Sequence, residues 1–138
     1  MDKDVVSAKI ESLRRCVQRI QDKTPASAET LAGDHDLQDI ICINLERAVQ
    51  GCVDLAAHMI ADADLPAPTT MAESFDRLSN LKLIPAELSS RMKKAVGFRN
   101  IAVHAYQSIN WAIVYSIITR WLDDFRAFAE AIGRAASL

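Results

Sequence analysis

Apolar residues recur at steps of three and four almost from end to end of this chain, a period that builds helices and little else. Val6, Ile10, Leu13, Val17 and Ile20 form the first such stripe. Thr24-Pro25 closes it, because proline pushes the residue before it out of the α region. Residues 25–35, with Pro25, Ser27, Gly33 and Asp34, read as a surface connection. A second helix is expected over residues 36–62, with Leu37, Ile40, Ile41, Leu45, Cys52 and Met59 among its inward positions and Asp36 as its cap. Pro66 and Pro68 stop it. Thr70 followed by Glu73 is a capping-box pattern that opens a short third helix through Phe75 and Leu78. Pro85 suits the first turn of a fourth helix over residues 86–96, and Gly97 suits its C-terminal cap. A long last helix is expected over residues 110–133, with Ile113, Ile117, Trp121, Phe125, Phe128 and Ile132 at helical spacing. No stretch alternates long enough for a strand. The expected fold is all-α: one domain over residues 1–138, a compact up-and-down bundle of about five helices with short connections between antiparallel neighbours.

A chain of 138 residues buries about two-thirds of its unfolded surface and needs neither disulfide nor metal to fold. With 4 Gly, 4 Pro and 18 acids against 16 bases, it is not disordered, collagen-like or histone-like. Cys16, Cys42 and Cys52 are an odd set with no C-x-x-C pair, which argues against a disulfide framework or zinc knuckle and for a reducing compartment. The N-terminus mixes both charge signs, and no apolar run reaches membrane length, so a cytoplasmic protein away from the membrane is expected. Charge is uneven. From Leu88 to Leu122 there is no Asp or Glu, while Arg91, Lys93, Lys94, Arg99 and Arg120 fall there, a local anion site or a solvated basic face. Arg91, Lys93 and Lys94 are the candidate contacts of such a site to phosphate groups.

Between the fourth and last helices, Arg99, Asn100, His104 and Tyr106 stand within eight positions. On an unbroken helix Arg99 and His104 would point roughly 140° apart. A break near Gly97 would let the arginine fold back toward the imidazole, with Ile101 and Val103 anchoring the strip in the core. Arginine offers a fixed fork of donors to a phosphate, and histidine titrates near neutral pH. The pair suffices for metal-free RNA cleavage: His104 moves the proton of the ribose 2′-hydroxyl or of the leaving oxygen, and Arg99 stabilises charge on the phosphoryl oxygens. Asn100 supports either group.

Other constellations read more simply. Asp54, His58 and Asp62 line one helix face at i, i+4 and i+8, which is more often solvated than metal-binding, and no fourth ligand stands nearby. Trp111, Trp121, Phe125 and Phe128 read as core or dimer-interface residues before base-stacking ones. The cysteines read as small buried apolar groups. No cofactor and no metal are called for.

Arg99-Asn100-x-x-x-His104-x-Tyr106 resembles the R-x-x-x-x-H-x-Y motif of the HEPN superfamily, and the run from Gly97 to His104 is similar to that of HepT-like toxins. The similarity extends to the Arg15-Cys16-Val17-Gln18-Arg19-Ile20 stretch, to Leu37-Gln38-Asp39 and to Leu122-Asp123-Asp124-Phe125. The resemblance implies a metal-independent endoribonuclease toxin that homodimerises so that two motifs face one cleft. It further implies a nucleotidyltransferase-fold antitoxin that adenylylates the motif tyrosine. Carried over, Arg99 and His104 are the catalytic pair, Asn100 supports them and Tyr106 is the modification site. The alternative is a non-catalytic, substrate-binding subunit of a nucleotidyltransferase complex, which would have no need of the Arg99/His104 pair.

Overall fold

A computed structural model of the chain describes residues 2–138, and every regular element among them is helical. Helix α1 (Lys3–Lys23) starts where the Asp2 carboxylate accepts the amides of Asp4 and Val5, and all five stripe residues are buried. It ends at Thr24, whose hydroxyl donates to the Ile20 carbonyl at 2.8 Å.

The expected surface connection contains a helix of its own. Helix α2 (Ala28–Gly33) is capped by Ser27 and held by Leu31, which is fully buried. Six residues with one apolar anchor are too few to register as a period. Helix α3 (His35–Asp62) follows at once, and its cap is Asp34, not Asp36: the Asp34 carboxylate accepts the Leu37 amide at 3.1 Å. The buried Gln38 amide donates to the Leu31 and Ala32 carbonyls, tying the two helices together. Ile41, Leu45, Cys52 and Met59 face the core as expected, while Leu37 and Ile40 are half-buried.

Helix α4 (Met71–Asn80) has the expected cap, with the Thr70 hydroxyl accepting the Glu73 amide at 3.1 Å. Glu73 reaches back one residue further than a capping box requires, to the backbone N–H and hydroxyl of Thr69 at 2.9 and 2.6 Å. Arg77 completes the loop, donating to Glu73 at 2.8 Å and to the Pro66 carbonyl. These donors, Thr69 foremost, hold the Glu73 carboxyl down at about 2.

Helix α5 (Ala86–His104) corrects two expectations: it does not end at residue 96, and Gly97 is not its cap. A mid-helix glycine costs about 1 kcal/mol against alanine, and burial of Leu88, Met92 and Val96 before it and Ala102 after it carries the helix across. The long last helix runs on as expected, but with a π-turn inside it that divides it in three. Helix α6 (Trp111–Ser116) is capped by Asn110; a π-turn spans Ile117–Trp121; helix α7 is Asp123–Ala135. In the π-turn the Thr119 hydroxyl donates to the Tyr115 carbonyl at 2.7 Å, within a run of β-branched residues that crowd an ordinary α turn. The buried stripe is therefore Val114, Ile118, Leu122 and Phe125, whereas Ile113 and Trp121 are exposed.

The described residues form seven α-helices, two more than expected. Helix α1 lies against α3 and α7, and the α4–α5 hairpin packs on α3. Phe75 and Phe128 meet edge to face at the centre, their rings 5.7 Å apart and both fully buried.

Candidate functional site

The last two turns of α5 carry Arg99, Asn100 and His104, and the absence of a break there decides their geometry. Five positions of continuous helix separate Arg99 and His104 by about 7.5 Å along the axis and about 140° around it. One chain thus does not bring the arginine to the imidazole, contrary to the folded-back arrangement expected. Arg99 instead donates through Nη1 to Asn100 Oδ1 at 3.3 Å. His104 is exposed. Ile101 and Val103, expected as core anchors, are 47% and 45% exposed, and Ala102 between them is the buried residue. Gly97, Ile101 and His104 share one outward face at i, i+4 and i+7, and a Cβ placed on Gly97 would meet nothing within 4 Å.

After His104 the helix stops at Ala105 and a single 3₁₀ turn, Tyr106–Ser108, swings the chain over α3. The Tyr106 hydroxyl donates to Asp39 Oδ1 at 2.8 Å, and its ring meets Trp111 edge-on at 5.9 Å. Burial of the phenol, and next its bond to Asp39, push Tyr106 well above the ordinary tyrosine value. Asp39 was absent from the sequence-derived site, since it lies 67 positions from the residue it binds.

The basic window divides. Arg91 pairs with Asp124 at 2.9 Å and Lys93 with Asp76 at 2.8 Å, while Lys94 and Arg120 project into solvent. Beside the strip, a cleft of about 420 Å³ between α3, α5 and α6 is lined by Phe98, Ile101, Ile113 and Trp121, with Arg91 and Lys94 at its rim. Trp121 faces this cleft, while Phe125 and Phe128 are core residues.

Asp54 is engaged by Gln50 at 3.0 Å and by Lys9 at 3.7 Å. No cluster of three or more His, Cys, Asp or Glu side chains poised around a metal occurs among the described residues. Cys42 and Cys52 are buried, and burial, followed by the carboxylates of Glu46 and Asp39, pushes the Cys42 thiol up to about 12. Neither is an activated nucleophile. No helix among the described residues is long and apolar enough to cross a membrane.

An all-helical bundle that ends one helix in Arg-Asn-x-x-x-His, with a tyrosine held just beyond it, defines the HEPN class of domain. The sequence profile of the ribonuclease HepT-like family matches residues 13–132, and the chain belongs to that family. It is 37% identical over 129 residues to the mRNA nuclease HepT of Shewanella oneidensis, covering 94% of this chain and 96% of that one. The tri-AMPylated HEPN toxin of Shewanella oneidensis, solved in complex with its MNT antitoxin, superposes with a TM-score of 0.89 at 36% identity, over 97% of this chain and 99% of that one. A cytosolic protein of unknown function from Bacillus subtilis, YutE, shares the fold at 12% identity with a TM-score of 0.84, over 98% of this chain and 90% of that one.

Proposed function

We propose that this chain is a metal-independent endoribonuclease, the toxin of a toxin–antitoxin pair, and that it acts as a homodimer. The observation that carries the reading is the intact Arg99-Asn100-x-x-x-His104 end of α5, with Asn100 and His104 exposed and Arg99 half-buried, on a fold shared almost end to end with an mRNA nuclease. His104 takes the proton from a ribose 2′-hydroxyl as that oxygen attacks the adjacent phosphorus. The 5′-oxygen leaves and takes up a proton, and a 2′,3′-cyclic phosphate remains. Arg99 and Asn100 donate to the phosphoryl oxygens as charge builds on them. Lys94 offers a free cation to the RNA backbone, and Arg91 and Lys93 contribute once exchanged from their acidic partners.

The outward face of α5 supports the dimer. Two copies meeting on the Gly97–Ile101–His104 face bring their two His104 imidazoles to one shared cleft. That contact also covers Ile101 and Trp121, large apolar groups left in water in one chain. The open space over Gly97 lets two helices approach closely.

A nucleotidyltransferase-fold antitoxin neutralises the toxin by adenylylating Tyr106. The bulky anion added there sits beside the strip that binds RNA phosphate and competes with it. The AMPylated Shewanella toxin supports this reading.

Incubation with messenger RNA and with tRNA in EDTA, beside His104→Ala, tests the activity. Cleavage by the native chain alone is expected, with both proteins melting within a few degrees of each other. Equal cleavage by the two would remove His104 from the reaction. No cleavage by a native chain free of adenylyl mass would leave a binding subunit.

A further inference from the structure

We propose that Asp39 is the proton acceptor in adenylyl transfer to Tyr106. The inference rests on the reading of Tyr106 as the modified residue. A phenol attacks phosphorus effectively only as it gives up its proton, and nothing around Tyr106 helps it do so unaided. Asp39, Cys42 and Glu46 form the α3 face beneath the phenol at i, i+3 and i+7, an acidic floor that opposes a free phenolate. One group on that floor is placed to remove the proton: Asp39 Oδ1 lies 2.8 Å from the phenolic oxygen and already accepts its hydrogen. From above, the edge-on contact with Trp111 holds the ring, while Tyr106 as a whole stays 39% exposed, within reach of an incoming nucleotide.

In the step, the Tyr106 oxygen forms a bond to the α-phosphorus of ATP held by the nucleotidyltransferase. The bond from that phosphorus to its bridging oxygen breaks, pyrophosphate leaves, and the phenolic proton passes to the Asp39 carboxylate. A purely structural role for the bond explains less. Both partners are solvent-accessible, so the contact adds little to folding, yet it spans 67 residues to fix one hydroxyl.

The test follows adenylyl mass on the Tyr106 peptide over time, with purified partner, ATP and magnesium, from pH 6.5 to 9.5. The native chain, Asp39→Asn, Asp39→Glu and Tyr106→Phe are compared. Asparagine keeps an acceptor oxygen for the hydroxyl but cannot take its proton. Asp39→Asn is expected to react at least tenfold more slowly than native at pH 7, the native-to-variant ratio closing as hydroxide takes over the proton. Asp39→Glu keeps the native pH profile. Taking the ratio cancels the partner's own pH dependence. An Asn variant modified at the native rate, or slowed by one constant factor at every pH, overturns the proposal. A native chain that gains no mass on Tyr106, or a Tyr106→Phe chain that gains the same mass, overturns the underlying reading and the proposal with it.

Discussion

Glu73 accepts more donors than any other carboxylate described, and its consequence is set by sign. Its carboxyl sits at about 2 in the folded chain against 4.5 ordinarily. The stabilisation is therefore complete above pH 4.5 and is lost as pH falls toward 2. Glu73→Gln is expected to melt below the native chain at pH 7, with the gap closing between pH 4.5 and pH 2. A gap that persisted at pH 2 would place the effect in packing. Tyr106→Phe removes one partly exposed hydrogen bond, worth about 1 kcal/mol. It should abolish neutralisation by the antitoxin while RNA cleavage persists, read by growth arrest on co-expression. Arg99, Asn100, His104 and Tyr106 are close in sequence, so spacing alone groups them, but it does not show that a continuous helix turns Arg99 away from His104. Asp39 is not grouped with them, because only the fold brings residue 39 to residue 106.

Among the elements, those with four or more turns and a single apolar stripe, such as α1, could be read directly. Helix α5 could not: a glycine followed by a polar strip imitates a helix end, and only packing on both sides of Gly97 overrides it. The unbroken helix carries a prediction. Space over Gly97 means that Gly97→Leu should leave the single chain folded, with a melting temperature at or above native because a helix-forming residue replaces glycine. The same side chain would stand between two copies meeting on this face. Sedimentation should then report monomer, and RNA cleavage should fall by at least tenfold. A Gly97→Leu chain that still dimerised and cut RNA would move the contact elsewhere.

For the whole molecule, stability and activity are separable in space. The Phe75–Phe128 pair is central and remote from the exposed end of α5, so Phe75→Ala is expected to cost about 3–5 kcal/mol. Denaturation midpoints would show it, while the specific activity of the fraction still folded stays native. An all-α bundle was legible from period alone. The short α2 and the division of the last helix were not, since each turns on one or two residues whose effect depends on what they pack against.

The π-turn at Ile117–Trp121 holds one residue more than an α turn would, taken up in a wider turn. Removing one residue from it would restore an α turn and leave the helices on either side at nearly their present rotation. Straightening it at constant length would instead turn everything before it by about 100° relative to α7. Tyr115 would rotate toward the interior and Val114 out of it. Trp111 would turn away from Tyr106, and the ring that steadies the tyrosine would be gone. The spare residue thus acts as a timing mark. The wider turn sets the rotation at which the apolar wall of the cleft and the support of Tyr106 are both presented, so the stretch between Asn110 and Asp123 should tolerate loss of one residue from the turn better than substitutions that straighten it.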